Sequence, residues 1–394
     1  MSMRSVKQLK NFKNKSVLLR VDFNVPLEKK KVVDDTRIKA AMPTILYLLK
    51  EKAKVILITH LGRPKGKVVA SLRVAPIVRR LSVLIGKKVR YLPFSTGKKV
   101  QTAITALKPG EILFLENIQF EPGETENDAQ LAQVLASYAD YYVTDNFAQA
   151  HRAYASIVGV PKYLPSYAGL LLQKEINALD TLLKKPKHPF VGVLGGAKIE
   201  TKIPIMKHVV PKVNYLLLGG GLVNTYLLAK GYGVGDSLTD PEYARQALIY
   251  CGNKKVVTPL DVVVGKRDGS VYAVVDIQKK PHEICGDGYG IFDIGPRTIA
   301  LFSSIITKAR TLVWNGAMGY FEQKPYDVGT LSIARLVATQ SKNGAFGVIG
   351  GGETLQAMEK TRMGRHLDLV STGGAAMLDY LSGQKLPGIE VLKK

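Results

Sequence analysis

Arginines and two histidines stand at or just past the ends of short apolar runs in the first half of the chain, within residues 20–26 (RVDFNVP), 34–37 (DDTR), 60–64 (HLGRP) and 150–153 (AHRA). A guanidinium presents a planar fork of donors that matches phosphate or carboxylate oxygens in pairs, which a lysine ammonium does not. Arg37, Arg63 and Arg152, joined by His60, could surround a small dianion, with Asp22 and Asn24 holding its hydroxyl. The second half carries glycine clusters instead, at Gly195-Gly196, at Gly219, Gly220 and Gly221, and at Gly350, Gly351 and Gly352. Glycines between a strand and a helix let backbone N–H groups approach an anion at the helix N-terminus, so this half reads as built for phosphates.

Several familiar phosphate chemistries are excluded. Residues 62–67 (GRPKGK) are one residue short of a P-loop and lack its hydroxyl. A protein kinase needs H-R-D and D-F-G, whereas this chain has His151-Arg152-Ala153 and Asp22-Phe23-Asn24. Cys251 and Cys285 are too few for a disulfide framework and lack the spacing of a zinc site. His188, His208, His282 and His366 have no partner spacing suited to a metal and read as surface or loop residues.

Polar residues past the ends of different strands converge when the strands are parallel, and the chain has the rhythm of a parallel sheet. Residues 16–21, 55–59, 112–115 and 141–144 read as buried strands, with helices expected over 35–52 and 128–139. The rhythm restarts after Pro186, with strands expected over 190–194, 215–218, 255–259, 311–314 and 346–349, and Trp314 in the sheet core. Between the halves, residues 169–185 have apolar positions at helical spacing and end in lysines before Pro186, which predicts a bridging helix. The fold class is therefore α/β. The expected division is a first domain over 1–168, the helix over 169–185 and a second domain over 186–375, with no internal repeat.

Composition agrees with two folded domains, because 394 residues exceed what one core usually organises, and 46% hydrophobic with 22% charged residues is ordinary for a globular chain. Lysine and arginine number 56 against 32 acids, a formal charge of +24. A surface so positive attracts anions; nucleic acid, acidic lipid and phosphorylated metabolites all fit, and a plain solvated basic surface accounts for most of the lysines, including Lys29 to Lys31 and Lys98-Lys99. Residues 1–15 are polar and basic, and no stretch approaches the run of about 18 apolar residues of a membrane helix. A cytoplasmic, membrane-free protein is expected.

The residues also carry a resemblance. RVDFNVP, DDTRI, THLGRP, LENIQF, AHRAYAS, LGGAKIETKI, WNGAMGYFE, IGGGETL and STGGAAMLDYLSGQKLPG resemble, in order and over residues 20–388, the signature segments of phosphoglycerate kinases. The resemblance implies two Rossmann-like, three-layer α/β/α lobes with mainly parallel sheets, a hinge, and a tail over 376–394 packing back on the first lobe. It implies reversible phosphoryl transfer between 1,3-bisphosphoglycerate and ADP, giving 3-phosphoglycerate and ATP, with Mg²⁺ on the nucleotide, by direct in-line transfer on domain closure. Asp22, Asn24, Arg37, His60, Arg63 and Arg152 fall on glycerate-binding positions, with Phe23, Leu61 and Gly62 in the same loops. Lys198 and Lys202 fall near the transferring phosphate. Asn315, Glu322, Glu353 and Thr354 fall on nucleotide positions, Gly219, Gly220, Gly350, Gly351 and Gly352 form the cradle, and Gly373-Gly374 fall on a helix N-terminus facing the phosphoryl group. Arg37, Lys198, Lys202, Gly351 and Gly374 are the expected catalytic set, Glu353 is the expected metal ligand, and a monomer is expected.

The chain departs from the family pattern at several of these segments. Gln119 stands where an arginine is expected, Asn146, Ala148, Gln149 and Tyr154 replace residues around AHRAYAS, and Ala317 replaces a proline. Glu353-Thr354 replace an aspartate and a serine, Ala375 and Met377 stand after Gly374, and Ile291 with Gly290 alters the segment of the adenine slot. A divergent active enzyme is the expectation. Two alternatives are a paralogue acting on another acyl phosphate, and a weakened paralogue binding nucleic acid through its basic surface; for the latter, inserted basic segments with interleaved aromatics are missing from the sequence.

Overall fold

A computed structural model describes residues 3–9, 12, 14–279 and 282–393. The remaining positions, which include the start of the expected first domain and the end of the expected returning tail, lie outside the described residues. The chain divides into two compact units, Met1–Ile176 with Lys385–Lys394, and Asn177–Gln384.

In the first unit, β1 (Ser16–Val21), β2 (Lys54–Ile58), β3 (Arg90–Tyr91), β4 (Ile112–Phe114), β5 (Tyr141–Asp145) and β6 (Ser166–Ala168) form one sheet. Its order is β3-β4-β2-β1-β5-β6, with every pair parallel. These strands are short apolar runs because both faces are covered. Val17, Leu19, Val55, Leu57, Phe114 and Val143 join one core with Ile38, Ala41, Ile45 and Leu48 of helix α1 (Thr36–Lys50). The alternate residues Leu18, Ile56, Ile58, Leu113 and Tyr142 join a second core with Leu131 and Leu135. This division of neighbours between faces follows from the two-residue period of a strand. Strand order reverses beside β1, so the loops after β1, β2 and β5 open at one crevice.

In the second unit, β7 (Phe190–Leu194), β8 (Tyr215–Leu218), β9 (Val256–Val257), β10 (Thr311–Asn315), β11 (Phe346–Gly350) and β12 (Leu369–Ser371) form a sheet of order β9-β8-β7-β10-β11-β12, again parallel throughout. Trp314 is fully buried in its core, as the sequence predicts. The strand expected over 255–259 is only two residues long; it lies at the sheet edge, and Pro259, which has no amide hydrogen, stands outside it. A three-stranded antiparallel sheet, Asp261–Gly265, Tyr272–Asp276 and Gly290–Ile294, accompanies the parallel one. The sequence predicts no such sheet: Asp261–Gly265 is buried nearly throughout, but its partner Tyr272–Asp276 is mostly exposed and gives no buried apolar run.

Helix α2 (Leu170–Lys184) occupies the expected bridging segment, and the division between units falls within it, after Ile176. Its N-terminus is met by Asp145 at the end of β5, whose Oδ1 accepts the Leu172 amide at 3.0 Å. The chain returns to the first unit at Lys385, where Leu386, Ile389 and Leu392 are buried and the Gly388 amide donates to the Ala150 carbonyl at 2.8 Å. Met3 and Lys393 are bridged antiparallel.

Candidate active site

In the first unit the expected substrate residues sit at the carboxyl ends of β1, β2 and β5 and at the start of α1. Arg37 of α1 reaches back to pair with the Asp22 carboxylate, whose other oxygen accepts the Asn24 amide at 3.1 Å. Asn24 Oδ1 in turn accepts the Gly62 amide at 3.0 Å, tying the loops after β1 and β2 together. Thr59 completes the tie, with Oγ1 accepting from the Phe23 amide at 2.9 Å and donating to the Val21 carbonyl at 3.1 Å. Leu61 is fixed by Asn117, which accepts its amide at 3.2 Å and donates to its carbonyl at 2.8 Å.

His60 is buried, with Nδ1 3.9 Å from Asp22 Oδ1 and 3.5 Å from Arg20 Nη2. Burial pushes its pKa down to about 4, a desolvation effect that outweighs the Asp22 charge, so the ring is neutral near pH 7. With Arg20 donating to Nδ1, the ring proton sits on Nε2. His60 therefore offers a single oriented N–H rather than a cation. Arg63 and Arg152 are exposed and form no ion pair among the described residues, in contrast to Arg37.

Arg20, to which the sequence reading assigned no role, organises this end of the sheet. It is fully buried; its Nε donates to Ser156 Oγ at 2.9 Å, its Nη1 to the Val21 carbonyl at 2.6 Å, and its Nη2 lies 3.9 Å from Glu124 Oε1. Glu124 is also fully buried and takes both the amide and hydroxyl of Ser156, at 2.9 and 2.5 Å. The available signal was a charge inside an otherwise apolar strand run, SVLLRV. Gln119 is buried, with its carbonyl accepting the Gly66 amide at 3.2 Å and its own amide bound to Asn117 Oδ1 at 3.1 Å. Its backbone thus holds the loop that carries Arg63.

In the second unit the carboxyl ends of β7, β10 and β11 meet. Lys202, the first residue of α3 (Lys202–Val209), is buried and donates from Nζ to Asn315 Oδ1 at the end of β10. Asn315 Nδ2 donates to the Gly350 carbonyl at 2.6 Å, and Thr354 Oγ1 accepts the Gly316 amide at 2.7 Å. Glu353, in the first turn of α5 (Gly352–Thr361), places Oε2 3.3 Å from the Ala317 amide, which donates to it. Burial pushes the Lys202 pKa down to about 8, opposed by the Glu353 charge. Gly351 at the head of α5 has φ +98°, a backbone that side-chain-bearing residues rarely adopt, and a Cβ there would stand 2.6 Å from Asn315 Nδ2. Gly374 likewise precedes α6 (Ala375–Leu381). Lys198 is exposed and joins none of these contacts.

Beside the glycine loops lies a cavity of about 520 Å³, of the size that takes a small organic ligand. Gly219, Gly220, Ile291, Glu322 and Glu353 are among its walls. Helix α4 (Gly221–Ala229) begins at its rim, directing backbone N–H groups toward it. Among the described residues no cluster of three or more His, Cys, Asp or Glu could hold a metal ion. The single carboxylate of Glu353 suits Mg²⁺ held mainly by water and phosphate oxygens.

Known proteins agree with this architecture. The family described as phosphoglycerate kinase matches residues 6–384. The chain is 45% identical over 386 residues to the phosphoglycerate kinase of Moorella thermoacetica, covering 96% of each chain, and 44% identical over 389 residues to that of Chloroflexus aggregans, also covering 96% of each. The solved phosphoglycerate kinase of Coxiella burnetii superimposes with a TM-score of 0.88 at 36% identity over 99% of both chains, and that of Pyrococcus horikoshii OT3 with 0.86 at 32% identity, covering 99% of this chain and 98% of the other. With its sheets, its loops and its sequence all matching over nearly the whole length, the chain belongs to the phosphoglycerate kinase family of phosphotransferases.

Proposed function

We propose that the chain transfers a phosphoryl group reversibly between 1,3-bisphosphoglycerate and ADP, giving 3-phosphoglycerate and ATP. The observation that carries the reading is the buried Lys202 ammonium, fixed by Asn315 beside the Gly350 to Gly352 turn and a nucleotide-sized cavity. In this reading Arg37, Arg63 and Arg152 bind the glycerate anion, Asp22 and Asn24 its hydroxyl, and His60 donates a neutral N–H. Phe23, Leu61 and Gly62 shape that loop edge. Gly219, Gly220, Asn315, Glu322, Gly350, Gly352 and Thr354 hold the nucleotide.

Phosphoryl transfer needs little covalent help; it needs in-line placement and positive charge around the equatorial oxygens. Arg37, Lys198 and Lys202 supply charge, and the backbone at Gly351 and Gly374 supplies N–H dipoles. Mg²⁺, held on the nucleotide with Glu353 as its protein ligand, would neutralise phosphate oxygens when bound. The carboxylate acceptor is already an oxyanion, so no general base is required. The two substrates must meet, and the reading therefore includes closure of one unit on the other, excluding water that would hydrolyse the acyl phosphate. A cytoplasmic location fits the absence, among the described residues, of any helix long and apolar enough to cross a membrane. One chain carries every residue named, so a monomer suffices.

The test is Mg²⁺-dependent turnover of ATP with 3-phosphoglycerate, coupled to reductive consumption of the acyl phosphate. Turnover with glycerate-3-phosphate but not with other phosphorylated or plain carboxylates is expected. Absence of turnover with 3-phosphoglycerate while another carboxylate is phosphorylated would overturn the substrate assignment. The alternative paralogue readings are not favoured, because the match to phosphoglycerate kinases runs over residues 6–384.

A further inference from the structure

At the amino ends of β7, β10, β11 and β12, opposite the glycine loops at their carboxyl ends, the second unit has another cavity, of about 540 Å³. Lys185, Lys187, Arg310, Arg365, His366 and Asp368 are among its walls. The frame beneath is hydrogen-bonded. Arg310 donates its amide to the Pro189 carbonyl at 2.8 Å and accepts the Phe346 amide at 2.9 Å, while Thr311 Oγ1 donates to the Lys187 carbonyl at 2.8 Å and accepts the Lys187 amide at 3.0 Å.

None of Lys185, Lys187, Arg310 and Arg365 forms an ion pair among the described residues. The one carboxylate in the wall, Asp368, is committed to backbone, with Oδ2 accepting the Gly347 amide at 2.8 Å. Four exposed cations therefore line one concave space against a single carboxylate, and none of the four is held in an ion pair among the described residues. A concave surface with a net positive lining raises the local concentration of anions, and two guanidinium forks suit phosphate oxygens. The space is much larger than a single orthophosphate needs. The five-residue strands between this cavity and the glycine loops span about 16 Å, so one ligand's phosphates cannot serve both ends.

We propose that this cavity binds a small polyanion of linked phosphate groups, at a site separate from the nucleotide loops. The claim does not depend on the phosphoryl-transfer reading, and its test leaves the coupled assay untouched.

Calorimetric titration with tripolyphosphate in metal-free, low-salt buffer measures it. Tripolyphosphate also enters the phosphate sites of the catalytic loops, and that contribution is common to every chain compared. The intact chain is expected to bind one equivalent more than Arg310→Ala/Arg365→Ala, or to bind that equivalent about tenfold or more tightly. Arg310→Lys/Arg365→Lys should retain part of it, and Lys29→Ala/Lys30→Ala all of it. Unchanged circular dichroism and thermal unfolding of the Arg310/Arg365 variants show that they fold; should the alanine pair fail to fold, the lysine pair and Arg310→Gln decide. Superimposable isotherms for the intact and Arg310/Arg365 chains would overturn the site. So would equal loss in the Lys29/Lys30 chain, which would mean bulk electrostatics, and orthophosphate binding there as tightly as tripolyphosphate would overturn the linked-phosphate assignment.

Discussion

Lys202 is a cation kept in a buried place by one neutral partner, the Asn315 oxygen, and by the nearby Glu353 charge. An ammonium held this way is ready for charge that appears on phosphoryl oxygens during transfer, and it gains most in the transition state. Lys202→Ala should therefore lower kcat by on the order of 10² to 10³ while changing KM for nucleotide little. Steady-state kinetics on both substrates check this; a variant with near-normal kcat removes Lys202 from the chemistry. The same reasoning separates Lys202 from Lys198, which the sequence pairs in one motif but which is exposed. At Glu353 the extra methylene relative to the expected aspartate is used to reach the Ala317 amide, a donor that a proline at that position would lack.

Elements were legible where an apolar run had a single explanation. Residues 16–21, 190–194 and 215–218 are strands with the expected bounds, and the bridging segment is helical over Leu170–Lys184. The antiparallel Asp261–Gly265 sheet was not legible, because its strand Tyr272–Asp276 is mostly exposed and lacks the apolar contrast of the buried parallel strands. Roles that depend on three-dimensional neighbours were hidden as well: Arg20 and Glu124 are far apart in sequence, and Asp145 gave no sign of meeting α2. Burial pushes the Asp145 pKa up to about 6 from an ordinary 3.8, and its Oδ2 is buried without a hydrogen-bond partner. A carboxyl raised in the folded state stabilises fully below pH 3.8 and loses that contribution as pH rises through 6. Asp145→Asn keeps an oxygen for the Leu172 amide and removes the charge. It should stabilise the protein by about 3 kcal/mol at pH 8 and by little at pH 4, measured by denaturant unfolding at both values. Equal effects at the two pH values would show that the charge is not the cause.

On the scale of the whole molecule, the chain builds most of one unit, leaves to build the other, and comes back at Lys385. The returning segment is part of the first unit's packing, since Leu386, Ile389 and Leu392 are 2% exposed or less and Arg4 donates its amide to the Leu392 carbonyl at 3.3 Å. Removing residues 385–394 should cost the first unit about 5 kcal/mol, from the lost burial of three aliphatic side chains. Calorimetry should show the first unit's transition moving down while the second's stays; equal displacement of both would mean that the segment acts on the chain as a whole. The same excursion bears on synthesis. A ribosome makes residues 1–176, then the second unit, and only afterwards the segment that buries Leu386 and Leu392. The first unit thus waits, incomplete, while its neighbour is translated. During that interval the apolar sites later covered by the returning segment are the nascent chain's natural contacts for chaperones.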